Sequence, residues 1–547
     1  MIYDVVVVGG GIAGLMAAIE AKTHSNKVAV VTKGNIFKSN SSLASGGINA
    51  VLDKNDSHEI KKHIDDTIKG SYGLADKKSV SYMCSRAPHI IKKLVSYGVE
   101  FDKDDKGEIA QRSFGGGISK RTCYVGDKTG SAIMQILIKK AKSVGIDFVV
   151  NNFVMNVTKL DNDVSGIVSV RRIDSSVVVY PAKSVVLAGG GYAGIFRGHS
   201  TNAQDYTGDM LAIALRSGLN LKDMEFVQFH PTGMNKSSYL ISEAARGEGG
   251  HLVNSNGERF VNELETRDVV SRAIIKQIND GQKVYLDLRH LESQIIQTKL
   301  PSLYKAAYNQ AGIDVTKELL EVTPVAHYSM GGIESKMTKT DIKGLFVCGE
   351  CAVNGIHGAN RLGGNSLLEG AVFGELAGKN AAEFIKHKEY LPIDYNIVGK
   401  DQKIVDYIFD RDTSKNFNSM RISMGKTMFK SAGIHRNYNS LIKVFDYLKY
   451  LRKEAGTLHC INKGRNNNVE LISILELKNA LEVAESVVLS ALQREESRGS
   501  HSREDFPDTV KGNEKSILVN ELKKGYFKVW YEHRSSLLNY ITKVIKN

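Results

Sequence analysis

The chain opens on an unbroken β-branched run, YDVVVV (3–8), which passes through GGGIAG into LMAAIEAKTH, a stretch with helical spacing of its apolar residues. A second β-branched run, KVAVVTKG, follows at 27–34. Strand, glycine turn, helix, strand is the opening of a doubly wound α/β sheet. Further strands are predicted at DFVVNN, SVVLAGGG and GLFVCGE, and the last two end in glycines where a ligand can approach a strand's carboxyl end. Between 229 and 340 the pattern changes to short elements and loops, with GEGGHLVNSNGERF read as a hairpin. Beyond 400 the apolar spacing returns to about 3.6, in LIKVFDYLKYLRK and VELISILELKNALEVAESVVLSALQREE. The pattern therefore predicts an α/β protein: a doubly wound nucleotide domain in two pieces (1–228 and 341–399), an inserted α+β capping domain (229–340), and a helical C-terminal domain with its tail (400–547).

With 547 residues the chain can bury several cores, and no apolar run approaches the roughly 18 residues of a membrane helix. The N-terminus enters a strand at once, with no basic and apolar leader, which points to a cytoplasmic protein. The five cysteines, Cys84, Cys123, Cys348, Cys351 and Cys460, are odd in number and scattered, so no disulfide framework is expected. Cys348 and Cys351 form a C-x-x-C with no second pair, hence no expected zinc or iron–sulfur site. Net charge is +13, and from Lys400 onward 26 basic against 18 acidic side chains supply +8 of it. Such a surface suits an acidic protein partner, a membrane surface or nucleic acid, or is simply solvated.

The glycine turn carries chemistry. In Gly9-x-Gly11-x-x-Gly14, Gly9 permits the tight turn, Gly11 lets a pyrophosphate approach the backbone, and Gly14 allows close helix packing. The motif alone does not choose between dinucleotides. The acid that should end the second strand is missing, since that strand reads VVTKG with Thr32 and Lys33.

SNSSLASGGINAV (39–51), TGD (207–209), EFVQFHPTG, SEAARGEGG, RDVVSRA, HYSMGG, CGE, HGANRLGGNSLLEG and ESRGSHSREDFP stand in one order along positions 5 to about 508. In these blocks the chain resembles the succinate dehydrogenase/fumarate reductase flavoprotein subunits and their sibling, L-aspartate oxidase. The resemblance implies FAD, bound by Gly9, Gly11, Ile12, Ala13, Gly14, Lys33, Asn40, Ser41, Ser42, Ala44, Gly46, Gly47, Asp209, Glu350, Ser366 and Leu367. Many respiratory members carry a flavin-linked histidine where this chain has Asn40. Asparagine cannot form that bond, so the FAD is expected to be non-covalent, and fumarate reduction to be favoured over succinate oxidation.

The same resemblance assigns the substrate residues. His230 and Arg361 match the pair holding one carboxylate, His327 a second histidine donor, and Ser242 a position often occupied by threonine. Arg267 aligns with the residue that delivers a proton to substrate, and Glu243 and Arg246 with the relay that restores it. A guanidinium has a pKa above 12, far from an ideal general acid, and the relay answers that difficulty. The lesser alternative is that Arg267 only forms a structural ion pair with Asp268.

Phe114, in QRSFGGGISKR, separates the siblings. L-aspartate oxidase presents glutamate there, in a pattern like R-E-G-G-H-S, as partner for its substrate's ammonium. A phenyl ring removes that partner and suits the uncharged carbons of fumarate or succinate. Aspartate oxidation remains the alternative, and a tRNA-modifying flavoprotein would need none of the histidines and arginines. Family members commonly pair with an iron–sulfur subunit, which is membrane-anchored in some of them. An iron–sulfur partner docked on the basic helical domain is therefore expected, with no nucleic acid and membrane contact only through partners.

Overall fold

The computed structural model describes residues 1–25, 27–113, 119–412, 415–523 and 525–532. Its main sheet has seven strands. Tyr3–Val8 lies in the middle, parallel to Val28–Val31 on one side and to Ser176–Leu187 on the other. Asp147–Val149 extends the sheet beyond Val28–Val31, and Leu345–Val347 adds in parallel beside Val185–Leu187. Strand Ser176–Leu187 serves two purposes. Its second half belongs to the parallel sheet, while its first half closes an antiparallel meander with Asp163–Arg171 and Asn152–Leu160. Burial on both faces explains the continuous valines: Val5, Val6 and Val7 are all inaccessible to solvent.

Helices Ile12–Lys22 and Asn365–Ile385 pack against one face in a core with Val5, Val7, Val30 and Val186. The turn before the first helix is sterically committed. Gly9 has φ +116°, and a Cβ there would sit 2.2 Å from the Ala188 carbonyl oxygen; a Cβ on Gly14 would sit 2.0 Å from the Gly9 carbonyl oxygen. Gly14 thus works by letting helix and turn approach.

The inserted segment forms a separate four-stranded antiparallel sheet, in the order Val227–Met234, Leu320–Ser329, Val284–Asp287, His251–Asn254. It has its own core, including Leu252, Val270, Ile274 and Leu286, in which helix Arg267–Asn279 shares. The turn anticipated in GEGGHLVNSNGERF is present, with Asn254 N–H donating to Glu258 O and Gly257 N–H to Asn254 O.

The C-terminal region holds helices Tyr395–Asp410, Phe417–Ala432, Tyr438–Ala455 and Val469–Gln493. The last is buried nearly all round, more than the one-sided apolar spacing of its sequence calls for. This region is not helical throughout. Ile517–Lys523 and Tyr526–Tyr531 form an antiparallel hairpin that joins Leu221–Lys222 in a five-stranded sheet. The alternating Tyr526, Phe527, Lys528, Val529, Trp530 is a strand pattern, with Phe527 and Val529 on the buried side.

Candidate active site

The carboxyl ends of the parallel strands open into one cavity of about 1180 Å³, larger than the roughly 300–1,000 Å³ of an ordinary ligand pocket. At one end stand Gly9, Gly11, Ile12 and Ala13. Helix Ile12–Lys22 has Gly11 at its N-cap and no side-chain cap, so its positive end faces the cavity, and Ile12 N–H donates to Ser41 Oγ at 3.2 Å. Lys33 lies beside it but not as a free cation. Its Nζ donates to Asp209 Oδ2 at 2.7 Å, to Glu476 Oε1 at 2.9 Å and to Asp205 O. Burial alone would lower the Lys33 pKa, yet Asp209 and Glu476 outweigh it and raise the group above its ordinary value. Asp209 also accepts from Thr207 Oγ1 and Asn479 Nδ2. Glu476, which Arg421 also contacts at 3.1 Å, comes from the C-terminal helices, and nothing local in the sequence marks it as part of this end.

Further along, Asn40–Leu43 is a single turn whose N-cap Ser39 accepts from Ser42 N–H. Asn40 is locked at three points: its Nδ2 donates to Asn202 Oδ1 at 2.5 Å, its Oδ1 accepts from Ala203 N–H at 3.2 Å, and its N–H donates to the Tyr206 hydroxyl. Ser41, Ser42, Ala44, Gly46, Gly47, Ser366 and Leu367 line the same cavity, the last two from the first turn of helix Asn365–Ile385. Glu350 lines it too. Its Oε1 accepts from Ser329 N–H (2.9 Å) and Ser329 Oγ (3.0 Å), and burial pushes its carboxyl up to about 7 against those two bonds. A glycine cradle under an uncapped helix end, with an acid held at the wall, fits a dinucleotide such as FAD.

The other end gathers the cap. Arg267 begins helix Arg267–Asn279 and points back to the cap's own Glu243: Nε donates to Glu243 Oε2 at 3.1 Å and Nη2 to the same oxygen at 2.9 Å. Its Nη1 donates to Gln228 Oε1 at 3.0 Å, and that oxygen also accepts from Arg361 Nη2 at 2.9 Å. Gln228 thus bridges the two arginines, and its Nε2 donates to Asn360 Oδ1 (2.7 Å) and Arg361 O (2.8 Å). Sequence reasoning passed over Gln228, although it stands two residues before His230 on one strand and hence on the same face. Asp268 does not pair with Arg267. It accepts from Asn360 Nδ2 and Arg272 Nη2, and from the Tyr72 hydroxyl.

Arg361 lies with its guanidinium 4.4 Å from the Tyr328 ring centroid. Its Nε is buried without a partner, no carboxylate pairs with it among the described residues, and burial, reinforced by the Arg267 charge, lowers it to about 10. His230 and His327 face each other with ring centroids 5.4 Å apart. Burial and then the neighbouring Arg267 hold both imidazoles well below their ordinary pKa, so both are neutral. Thr232 N–H donates to His230 Nδ1 at 3.3 Å, which leaves the His230 proton on Nε2. His327 Nδ1 contacts the Thr201 hydroxyl at 2.8 Å. Ser242 lines the cavity. Arg246 sits behind the lining, with Nη1 donating to Glu263 O. Phe114 lies outside the described residues.

Two ends of one cavity, a dinucleotide cradle and a pocket of two arginines and two neutral histidines, are the arrangement of a dinucleotide-dependent oxidoreductase. The FAD binding domain model matches residues 4–367, and the model of the fumarate reductase flavoprotein C-terminus matches 421–535. A succinate dehydrogenase flavoprotein subunit of Rickettsia bellii is 38% identical over 540 residues, 92% of this chain and 90% of that one. One polypeptide of the CoM/CoB fumarate reductase from Methanothermobacter marburgensis is 38% identical over 94% of this chain and 97% of its own length. Among solved structures, quinol fumarate reductase FrdA of E. coli superposes with a TM-score of 0.93 at 34% identity, covering 98% of each chain. The chain belongs to the succinate dehydrogenase/fumarate reductase flavoprotein subunit family: it is an oxidoreductase that depends on FAD and acts on CH–CH bonds.

Proposed function

We propose that the carboxylate pocket binds fumarate and succinate, and that fumarate reduction is the favoured direction. The observation that carries this reading is Arg361: a buried guanidinium with an unbonded Nε and no carboxylate partner among the described residues, in a pocket that Arg267, His230 and His327 share. Such a group awaits an anion. Arg361 and the Nε2–H of His230 take one substrate carboxylate, and His327 and Ser242 the other. FAD, when bound, supplies the two-electron chemistry of the reaction. Arg267 supplies the proton to the substrate carbon. Its double contact with Glu243 gives the guanidinium an immediate proton source, and the buried Arg246 extends the relay behind it. Charge building up next to a substrate carboxylate is stabilised by two guanidinium groups already in place.

Asn40 offers no atom for a flavin bond, and its amide is engaged by Asn202 and Ala203. The FAD is therefore held non-covalently in this reading, which lowers its potential and favours fumarate reduction. The relatives named as subunits support an electron-transfer partner, which in this proposal carries iron–sulfur clusters. No helix among the described residues is long and apolar enough to cross a membrane, and this proposal assigns any membrane contact to the partners. Turnover of fumarate with a reduced viologen dye, run beside aspartate with oxygen, tests the substrate. Fumarate-dependent dye oxidation supports the proposal; aspartate-dependent peroxide with no fumarate turnover overturns it in favour of the amino-acid substrate.

A further inference from the structure

Arg112 is among the charged side chains of the cavity that have been given no role. Arg112 ends the short strand Gln111–Arg112, which pairs with Thr122–Cys123, itself paired with Ile48–Asn49. From this three-stranded sheet its guanidinium lines the cavity and grips the backbone of the 40–47 loop. Nη2 donates to Gly46 O at 2.5 Å and to Ser45 O at 3.3 Å, and Nε donates to Gly46 O at 3.2 Å. Its outer face lies 4.4 Å from the centroid of the Tyr124 ring.

No carboxylate forms an ion pair with Arg112 among the described residues. The acids near enough to act on it at a distance are committed elsewhere. Asp102 accepts from Gly126 N–H, Asp127 accepts from Ser302 N–H, and Glu248 is paired with Lys299. Burial lowers the Arg112 pKa, and those distant acids offset this only in part. Two carbonyls and a ring hold the guanidinium in place but bring it no full negative charge. A cation there, partly desolvated and unpaired, is costly unless a negative charge arrives.

The position of Arg112 tells which charge that is. The pyrophosphate end of the cavity, at Gly9–Gly11, is at the opposite end of the 40–47 loop's run. Gly46 leads into Gly47, Ile48 and Asn49, and Asn49 is bonded to the turn at the head of helix Asn365–Ile385: its N–H donates to Gly364 O at 3.0 Å and its Nδ2 to Gly363 O at 2.6 Å. Arg361 precedes that turn by two residues. Arg112 and the positive end of a 21-residue helix therefore flank the segment between the dinucleotide cradle and the carboxylate pocket, where a redox-active ring has to lie to reach substrate. Two-electron reduction of FAD with uptake of one proton leaves that ring anionic.

We infer that Arg112 is a potential-setting residue: its unpaired guanidinium, fixed on the Ser45 and Gly46 carbonyls, stabilises the anionic reduced form of FAD over the neutral oxidised form. Its charge supplies part of the stabilisation that a covalent bond at position 40 cannot. The inference rests on the reading that FAD occupies this cavity with its ring beside the 40–47 loop, and retention of yellow FAD by the wild-type protein on gel filtration reports the occupancy separately. The test measures the dissociation constants of FAD and of dithionite-reduced FAD, anaerobically, for wild type, Arg112→Gln and Arg112→Lys. By the thermodynamic cycle, their ratio is the shift in flavin potential on binding. The wild type is expected to bind the reduced form more tightly. Arg112→Gln is expected to cut that preference about tenfold, and Arg112→Lys to keep it within threefold of wild type. Equal weakening of both redox states by Arg112→Gln overturns the inference and leaves Arg112 a loop clamp. A raised KM for fumarate with an unchanged ratio also overturns it, since the charge would then serve the substrate. The wild-type ratio stands whether or not a variant folds, and oxidised FAD bound as tightly as reduced FAD refutes the assignment outright.

Discussion

Gln228→Leu is the most informative single change in the carboxylate pocket. It deletes an acceptor that two guanidinium groups share, at 3.0 Å from Arg267 Nη1 and 2.9 Å from Arg361 Nη2, and it leaves a shorter apolar side chain on a strand that is buried throughout. A hydrogen bond to a charged group contributes about 1.5–3 kcal/mol. Arg267 keeps its two bonds to Glu243, and Arg361 keeps its bond to Leu362 O, so neither side chain is set free. The lower end of the range applies to each, and the pair loses about 3 kcal/mol of positioning. At 1.4 kcal/mol per tenfold, kcat/KM for fumarate is expected to fall by about a hundredfold. The loss through Arg267 is carried by kcat, because proton delivery depends on its aim; the loss through Arg361 is carried by KM. Steady-state fumarate reduction with a viologen donor measures both, with FAD content and far-ultraviolet circular dichroism confirming that cofactor and fold are kept. A variant with full FAD occupancy and kcat/KM within threefold of wild type would show that the bridging amide does not position the arginines.

Three further outcomes follow from the same geometry. Acid precipitation is expected to release the yellow chromophore completely, as Asn40 requires; flavin left on the polypeptide after washing refutes the non-covalent assignment. Lys33→Met takes the cation from Asp209 and leaves Glu476 with Arg421 alone, which costs about 3 kcal/mol, the low end for breaking a buried pair, and urea unfolding that shows less than 1 kcal/mol of loss would contradict the network. Glu350, raised to about 7 from an ordinary 4.5, favours its protonated form in the folded apoprotein. Its contribution is fully present below pH 4.5 and is lost as pH rises through 7, at most about 3 kcal/mol and about 1–2 kcal/mol once water in the cavity screens it. Unfolding free energies of apoprotein and Glu350→Gln at pH 5 and pH 8 give that difference, and a gap that does not change with pH removes the effect.

The elements that organise the molecule were legible because they are local. Val5–Val8 with Gly9, Gly11 and Gly14 announce strand, turn and helix, and the long helix Val469–Gln493 shows its period directly. What stayed hidden is what closes over distance. Lys33 gives no sign that Glu476, 443 residues further on, neutralises it. The pairing of Ile517–Lys523 with Leu221–Lys222 depends on an edge left open in another part of the fold. The ambiguity between Asp268 and Glu243 as partner of Arg267 is of the same kind. Adjacent residues on a helix point about 100° apart, so Asp268 turns towards Asn360 and Arg272 while Arg267 turns into the cavity. Sequence adjacency favours the pair that helix geometry forbids.

That geometry also fixes the charge of the pocket. Arg267 has one carboxylate in Glu243, Arg361 has none among the described residues, and burial together with the arginines keeps His230 and His327 neutral at physiological pH. The group standing between the two guanidinium ions is an amide. A carboxylate at position 228 would keep an acceptor between both arginines, but it would give up the bonds that the amide nitrogen donates to Asn360 and Arg361, neutralise the guanidinium groups and repel the negative ends of the ligand. Gln228 orients without discharging, and the surplus positive charge is left for the substrate. Gln228→Glu separates these two effects. It retains the bridging oxygen but sets its second carboxylate oxygen against Asn360 Oδ1 and Arg361 O, where the amide now donates, so folded stability is expected to fall, and the KM for fumarate is expected to rise more steeply than in Gln228→Leu. A glutamate variant with the lower KM of the two would mean that alignment, and not net charge, governs how the pocket takes its dianion.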